Sequence, residues 1–173
     1  MSAQTDFLPL NIAVLTVSDS RTEENDTSGK ALCDLLTDAG HHLQDKTIVV
    51  DDIYQIRAVI SKWVADKAVQ VIISTGGTGV TGRDSTPEAV QPLLDKTIEG
   101  FGELFRHISL ADIGASTMQS RALGGIANGT LIFCLPGSTG ACKTGWNDIL
   151  KSQLDSRTKP CNFSSMFPRF LEQ

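Results

Sequence analysis

Residues 71–88 read VIISTGGTGVTGRDSTPE, and this stretch decides the fold class. The apolar run at 71–73 predicts a buried strand, and three glycines and two threonines follow within positions 75–79. Thr86 and Pro87 are typical of a helix start, with Thr86 as the N-cap and Pro87 as the first helical residue. A strand, a glycine loop and a helix N-terminus in succession predict an α/β unit that binds an anion.

Standard phosphate-binding motifs fit this loop poorly. Residues 77–82 spell G-x-G-x-x-G, but the predicted helix begins beyond the motif, and the loop does not follow the first strand. No Gly-Lys-Ser/Thr tripeptide follows the glycines, which argues against a Walker A loop. Asp84 alone would repel phosphate, so its presence suggests a bound cation. A glycine-rich turn without a ligand remains the alternative.

Apolar runs alternate with helical patterns along the rest of the chain. Strands are predicted at 11–17, 43–50, 69–74 and 131–135, and helices at 27–39, 52–66, 86–95, 103–109 and from about 140 to 150. This alternation predicts an α/β fold, a three-layer α/β/α arrangement with a largely parallel sheet. We expect a single domain over 1–173, with a core at about 8–155.

Three segments are harder to interpret. Gly100–Glu103 is predicted to break and restart the chain, and 111–129 mixes glycines with polar residues without a clear period. The polar tail from Lys151 carries Pro160 and Pro168. We expect this tail to be poorly ordered unless it packs on a partner.

Composition excludes several classes of protein. The chain has 173 residues and a formal net charge of −5, which argues against general binding to nucleic acid or to acidic membranes. Neither a membrane-length apolar run nor a signal-peptide pattern at residues 1–6 is present in the sequence, so we expect a cytoplasmic protein. Cys33 and Cys134 lie in apolar patterns typical of a core, and no spacing suggests zinc. We expect all four thiols to be reduced.

Polar side chains follow the predicted strands where each strand ends. Ser18–Arg21, Asp51–Asp52, Thr75–Asp84 and Pro136–Ser138 occupy these positions. Because the carboxyl ends of parallel strands share one edge of a sheet, we expect these groups to converge on one site.

Asp51 and Asp84 are the candidate metal ligands of this edge. Two carboxylates near a phosphate site suit Mg²⁺, which prefers oxygen ligands. A helix cap is the alternative for Asp51, although Asp52 fits that position better. A local turn or an ion pair with Arg83 is the alternative for Asp84. Hydroxyls such as Ser18, Thr75, Thr78, Ser120 and Ser138 could contact a polar ligand, but each is more often a cap or turn residue.

The combined motifs resemble those of the molybdopterin-binding family of MoaB/MogA type. The resemblance rests first on Thr75–Gly79 followed by Arg83-Asp84-x-Thr86-Pro87-Glu88, and it runs from about Asn11 to about Asn162. Further matching segments are Val17–Asp19, Asp26–Gly29, Gly100–Glu103, Ser120–Arg121 and Leu135–Gly137. The family implies a three-layer α/β/α domain that forms a trimer or a dimer of trimers.

The resemblance also implies a reaction. Adenylyltransferases of this family use ATP and Mg²⁺ to attach AMP to the terminal phosphate of molybdopterin, releasing pyrophosphate. Matched motif by motif, Asp51 and Asp84 would be the catalytic and metal-binding residues. The nucleotide would lie against Gly76, Gly77, Pro136 and Gly137, and molybdopterin would lie against Ser18, Thr78 and Ser120. The resemblance also implies other molybdenum cofactor biosynthesis proteins as partners.

Two other functions remain open from the sequence. A molybdopterin-binding carrier or scaffold with little catalysis would use the same pocket. A nicotinamide-dependent oxidoreductase follows from a literal interpretation of G-x-G-x-x-G, but the long loop and its position after the third strand argue against it.

Overall fold

A computed structural model describes residues 6–172 and contains one six-stranded sheet in the order β2-β1-β3-β6-β5-β4. The strands are β1 (Asn11–Val17), β2 (His42–Val49), β3 (Val71–Thr75), β4 (Lys96–Thr97), β5 (Leu123–Ala127) and β6 (Thr130–Leu135). The helices are α1 (Thr27–Asp38), α2 (Ile53–Ala65), α3 (Thr86–Val90), α4 (Glu99–Ile113), α5 (Thr139–Gly145) and α6 (Lys151–Gln153). A π-helical segment, Trp146–Leu150, joins α5 to α6, and 3-10 turns lie at Gln91–Leu93, Gly114–Gln119 and Ser164–Arg169.

Four strands of the sheet are parallel, which confirms the predicted α/β class. β1 pairs with β2 and β3, and β3 pairs with β6, all in parallel, whereas β5 and β4 continue the sheet in antiparallel pairing. Thr75 is opposite Thr16 on one side and Leu135 on the other. The carboxyl ends of β1, β3 and β6 therefore lie at one level, and the loops that follow them are neighbours.

The sheet carries a hydrophobic core on each face. Along β1, Ile12 and Val14 face α1, α4 and α5, whereas Ala13 and Leu15 face α2 and α3. Because side chains alternate along a strand, a strand buried on both faces is apolar throughout. The burial of β1 and β3 on both faces gives the predicted three layers.

Helix α4 includes the segment predicted to break the chain. It begins at Glu99 and runs through Gly100–Glu103, so the predicted break is wrong. A β-carbon on Gly102 would overlap the carbonyl oxygen of Ala122. The glycine therefore permits α4 to approach the chain before β5, and this packing outweighs its low helix propensity.

The start of α3 also differs from its prediction. Ser85 occupies the N-cap position without a side-chain cap bond, and Thr86 is the first helical residue. The hydroxyl of Thr86 donates instead to the carbonyl of Gly76, at 2.8 Å. Asp52 caps α2 by accepting from the amides of Tyr54 and Gln55, as predicted, which leaves Asp51 available for another function.

The C-terminal tail packs on the chain itself. Leu154 is buried in the core, and Phe163 and Phe167 pack against it. Ser156 donates its hydroxyl to the carbonyl of Asp6 at 2.7 Å and accepts from the amide of Leu8 at 2.9 Å. The expectation that this segment needs a partner to be ordered is therefore wrong for the described residues.

The four cysteines are free thiols, and two are fully buried. Burial raises the pKa of Cys134 to about 12 and that of Cys142 to about 11, so both remain protonated and unreactive at neutral pH. Within residues 6–172, no helix combines the length and apolar character that crossing a bilayer demands.

We expect a buried histidine to make the fold sensitive to mild acid. Nδ1 of His41 accepts from the amide of Leu10 at 3.1 Å, so the ring must be neutral there. Burial lowers the pKa of His41, Asp155 acts in the opposite direction, and His42 lowers it further. The unfolded chain then binds this proton more readily, so the contribution of His41 to stability is fully present above about pH 6.5 and decreases as pH falls toward its folded-state pKa.

Urea unfolding at pH 7.5 and pH 5.5 tests this expectation. In His41→Asn the amide oxygen can still accept from Leu10 but cannot titrate, so this variant should lose less stability on acidification than the wild type. His107→Asn, at an exposed position, is the matched control and should follow the wild type. Equal losses in the wild type and His41→Asn would contradict the assignment.

Candidate functional site

A cavity of about 690 Å³ lies at the carboxyl ends of β1, β3 and β6. This volume suits a small-molecule ligand. All nine residues predicted from the sequence line it: Ser18, Asp51, Gly76, Gly77, Thr78, Asp84, Ser120, Pro136 and Gly137. The structure therefore brings the predicted set together, while the function of each residue there stays a prediction.

The glycine loop forms the floor of the cavity. Gly76 has φ +103° and Gly77 has φ +65°, conformations that favour glycine. A β-carbon on Gly76 would overlap the carbonyl oxygen of Val17, and one on Gly77 would lie 2.6 Å from Oδ2 of Asp51. The amide of Gly76 donates to the carbonyl of Leu135 at 3.0 Å. The loop is thus fixed between the ends of β1 and β6.

Asp51 is a buried carboxylate on the cavity wall. Its own amide donates to Oδ1 of Asp19 at 3.0 Å, and its Oδ1 accepts from the amide of Ser85 at 3.0 Å and from the Ser85 hydroxyl. Its Oδ2 lies against Gly77. Ser85 thus orients the carboxylate through one oxygen, and the other oxygen lies beside the backbone of the glycine loop.

Asp84 is held by the loop that carries it. Its Oδ2 accepts from the amide of Thr81 at 2.9 Å and from the Thr81 hydroxyl at 2.6 Å. The Thr81 hydroxyl holds the pKa of Asp84 below its usual range, burial opposes this, and the amides of Thr81 and Gly79 add to the lowering. Asp84 is therefore ionised at neutral pH. The local-turn alternative describes its contacts, but the ion pair with Arg83 is wrong, because Arg83 pairs with Asp19.

Arg121 braces the glycine loop, although it has only a weak signal in the sequence. Its Nε donates to the carbonyl of Gly79 at 2.7 Å, its Nη2 donates to the carbonyl of Asp84 at 2.9 Å, and its Nη1 pairs with Glu88. Its amide donates to the carbonyl of Thr78 at 3.0 Å. Arg121 thus joins both ends of the loop to the start of α3. The Ser120-Arg121 dipeptide is the one sequence signal that marks it.

The three hydroxyl residues among the candidates, Ser18, Thr78 and Ser120, differ in hydrogen bonding and exposure. The Ser120 hydroxyl is buried and has no hydrogen-bond partner within residues 6–172. A buried polar group without a partner costs about 1–3 kcal/mol, and Ser120 is one of the residues that line the cavity. The Ser18 hydroxyl oxygen accepts from the amides of Ser20 and Arg21 at 3.3 and 3.2 Å, which leaves its proton to donate. Thr78 is 3 % exposed.

The turn after β6 is held by a short chain of hydrogen bonds. Thr75 donates to the carbonyl of Pro136 at 3.0 Å, and the Cys142 thiol donates to Thr75 at 3.1 Å. Ser138 caps α5 by accepting from the amide of Ala141 at 3.1 Å. A β-carbon on Gly137 would lie 3.3 Å from the Cα of Gly76. The two glycine-bearing loops therefore touch at the cavity floor.

The lining also contains groups that were not among the nine candidate residues. Asp19 and Arg83 belong to segments that were predicted to converge here, whereas Phe105 and Asp112 on α4 were not predicted. Among the described lining residues, four are carboxylates (Asp19, Asp51, Asp84, Asp112) and Arg83 is the one cation. Their positions depend on contacts between distant parts of the chain, which local sequence patterns do not encode.

The lining suits a hard cation in combination with a phosphate ligand. Within residues 6–172, no three side chains among His, Cys, Asp and Glu cluster closely enough to hold a metal by themselves. Mg²⁺ is often bound by one or two carboxylates together with substrate phosphates and water. Asp51 and Asp84 supply oxygen donors of that kind, and neither histidine nor thiol is among the described lining residues. The donor set therefore fits Mg²⁺ that arrives with a phosphorylated ligand.

Comparison with known proteins identifies the family. Residues 13–156 match the probable molybdopterin binding domain. The chain is 57 % identical over 159 residues to molybdenum cofactor biosynthesis protein B of Escherichia coli K12, which covers 92 % of this chain and 94 % of that protein.

Solved structures agree with this match. The crystal structure of a molybdenum cofactor biosynthesis protein B has a TM-score of 0.83 at 45 % identity, covering 85 % of this chain and 92 % of that one. The tungsten cofactor synthesizing protein MoaB from Pyrococcus furiosus has a TM-score of 0.73 at 38 % identity, covering 84 % and 92 %. The resemblance to the MoaB/MogA type is confirmed, and the chain belongs to the molybdopterin-binding domain family.

Proposed function

We propose that this protein acts in molybdenum cofactor biosynthesis as a molybdopterin adenylyltransferase that uses Mg²⁺-ATP. The family and the names of the relatives support the pathway. The observation that carries the reaction is the convergence of two carboxylates, two glycine-bearing loops and three hydroxyl residues on one cavity. The reaction joins two anionic substrates, so it needs a site that orients both and offsets their charge.

The proposed chemistry is a nucleotidyl transfer. A terminal phosphate oxygen of molybdopterin attacks the α-phosphorus of ATP, the bond from that phosphorus to the β-bridging oxygen breaks, and pyrophosphate leaves. Asp51 and Asp84 would hold Mg²⁺, which neutralises charge on the phosphates. Ser85 orients the Asp51 carboxylate, and Arg121 fixes the loop that carries Asp84. The backbone at Gly76, Gly77, Pro136 and Gly137 allows the nucleotide to approach closely.

The pterin side of the cavity is assigned to the hydroxyl residues. Ser120 offers a buried hydroxyl whose hydrogen bonds are unmade within the described chain, and Ser18 has a proton to donate. Together with Thr78 they suit the terminal phosphate and the polar edge of a pterin.

Incubation of the purified protein with molybdopterin, ATP and Mg²⁺ tests the proposal through pyrophosphate release. We expect release that requires all three components.

Tight pterin binding without release would favour the second candidate, a molybdopterin carrier or scaffold. The oxidoreductase interpretation is disfavoured, because the glycine loop follows β3 and α3 begins only at Thr86.

Thr78→Val should weaken pterin binding before it affects the chemical step. Valine matches the shape of threonine but removes the hydroxyl, so the lost hydrogen bond should cost about 1 kcal/mol or somewhat more. Pterin affinity and pyrophosphate release at saturating pterin measure the two effects on one preparation. Thr22→Val, at an exposed loop position away from the cavity, is the control. An unchanged pterin affinity in Thr78→Val would show that its hydroxyl does not contact the pterin.

We also expect a trimer or a dimer of trimers in solution. Leu104, Leu110 and Met118 are 44 %, 52 % and 79 % exposed on α4 and the 3-10 turn that follows it. Apolar side chains of this size grouped on one segment are typical of a subunit interface. Light scattering at micromolar concentration measures the mass, and Leu104→Glu should shift it toward the monomer. A monomeric wild type would contradict the expectation.

A further inference from the structure

Arg83 and Asp19 form an ion pair on the cavity wall that no step of the proposed reaction uses. Nε of Arg83 donates to Oδ2 of Asp19 at 2.9 Å, and its Nη2 donates to Oδ1 at 2.6 Å. The pair joins the glycine loop to the chain after β1, 64 residues earlier. Both side chains are well exposed, at 68 % and 45 %, and both line the cavity.

The charge on the cavity lining gives this pair a function. The described lining residues include four carboxylates and one guanidinium, and Asp19 already neutralises that guanidinium. A phosphorylated ligand adds further negative charge. An exposed ion pair contributes only about 0–1 kcal/mol. A phosphate group offers arginine the same bidentate match as a carboxylate does. Exchange of one partner for the other therefore costs little.

We propose that Arg83 is a phosphate-binding residue of this cavity, and that Asp19 holds its guanidinium until a ligand phosphate replaces the carboxylate. The assignment rests on the proposed function, because it takes the ligand to be phosphorylated. The phosphate belongs either to the polyphosphate of ATP or to the terminal phosphate of molybdopterin. Both have the chemistry that Arg83 recognises, and binding measurements with each ligand separate them.

Asp19 remains anchored when Arg83 leaves it. Its Oδ1 also accepts from the amide of Asp51 at 3.0 Å. The exchange therefore moves the long arginine side chain and leaves the loop at Asp51 in place. For the same reason Asp19→Asn is a clean variant, since an amide oxygen can still accept from Asp51 while the charge that holds Arg83 is lost.

Calorimetric titration of the full-length protein with Mg²⁺-ATP, and separately with molybdopterin, tests the proposal. Arg83→Gln should weaken binding of one of the two ligands by about tenfold, the scale of one charge-assisted hydrogen bond. Asp19→Asn should strengthen binding of the same ligand severalfold. Arg83→Lys should retain part of the affinity, because it keeps the charge and loses the bidentate geometry. Thermal melts of each variant check that the fold is intact.

A double-mutant cycle separates partner exchange from a general charge effect. Asp112→Asn removes one negative charge from the same lining but makes no ion pair with Arg83 among the described contacts. Its effect on affinity should be the same in the wild-type background and in the Arg83→Gln background. The effect of Asp19→Asn should instead vanish in the Arg83→Gln background.

Each adverse outcome has its own signature. If the wild type binds ATP or molybdopterin and Arg83→Gln binds both equally well, Arg83 is not a phosphate ligand, although the proposed function stands. If Asp19→Asn increases ligand affinity equally in the wild-type and Arg83→Gln backgrounds, the increase reflects the loss of negative charge in general. The proposed replacement of Asp19 by a ligand phosphate is then wrong. If the wild type binds neither ligand, the proposed function fails, and the assignment of Arg83 fails with it.

Discussion

Asp51→Asn is expected to lower adenylyl transfer by at least ~10²-fold, the scale observed when one electrostatic group that acts on a transition state is lost. The substitution removes a charge and barely changes volume. The amide oxygen of asparagine can still accept from Ser85, and the backbone amide still reaches Asp19, so the local structure should persist. Molybdopterin affinity should change little, because the pterin is assigned to Ser18, Thr78 and Ser120. Pyrophosphate release and pterin binding on one preparation measure both effects.

Neighbouring carboxylates supply the comparison and the control. Asp84→Asn should produce a loss of similar size, because both carboxylates are assigned to Mg²⁺-ATP. Asp52→Asn changes the adjacent residue, which caps α2, and asparagine caps a helix about as well as aspartate. Asp52→Asn should therefore retain wild-type turnover. If Asp51→Asn lowers pterin affinity as much as turnover, the division of the cavity into nucleotide and pterin sides is wrong.

Gly76→Ala is expected to destabilise the fold by about 3 kcal/mol or more, through backbone strain and steric overlap together. Gly76 has φ +103°, and a β-carbon there would overlap the carbonyl oxygen of Val17. The backbone cannot easily relax. The Gly76 amide is bonded to Leu135, and its carbonyl accepts from Thr86. A shift of Gly76 would therefore disturb its contacts with the ends of β1 and β6 and with the start of α3.

Urea unfolding measures this effect against a glycine in the same loop. A β-carbon on Gly82 would have no heavy atom within 4 Å, and Gly82 is not among the glycines with positive φ. Gly82→Ala should therefore unfold close to the wild-type midpoint. A Gly76→Ala protein that unfolds at the wild-type midpoint would show that the loop tolerates another backbone conformation.

The alternation of strands and helices could be predicted because it depends on local sequence patterns. β1, β3 and β6 are buried on both faces, so each is a nearly continuous apolar run that can be recognised without its neighbours. Their chain order then placed the polar segments at one edge of the sheet. Eight of the nine candidate residues lie in these segments, and the resemblance to the MoaB/MogA type supplied the ninth, Ser120, together with the function expected of each.

The antiparallel edge of the sheet, formed by β4 and β5, could not be predicted from the sequence because it depends on tertiary packing. β5 contains Gly124 and Gly125, which are poor strand formers. A β-carbon on Gly124 would lie 3.0 Å from Phe101 and Phe133, and one on Gly125 would lie 2.5 Å from Leu94. These glycines provide space for side chains that approach from distant elements, so their pattern resembles a loop until the packing is known.

The contacts of the residues that hold the site in place could not be predicted for a similar reason. Arg121 pairs with Glu88 over a separation of 33 residues, and Arg83 pairs with Asp19 over 64. Thr86 has the sequence of an N-cap, yet its hydroxyl bonds the glycine loop. In each case a polar side chain has several local options, and the folded contacts select one that local spacing does not specify.

Single-turnover analysis of the pterin product tests the central claim most directly. Excess protein is mixed with molybdopterin, Mg²⁺ and ATP labelled at the α-phosphate, and the pterin is recovered and examined by mass spectrometry. The proposed function predicts that labelled AMP becomes attached to the pterin phosphate, with one pyrophosphate released for each AMP transferred. Recovery of unmodified molybdopterin and intact ATP from protein that has bound both would contradict it.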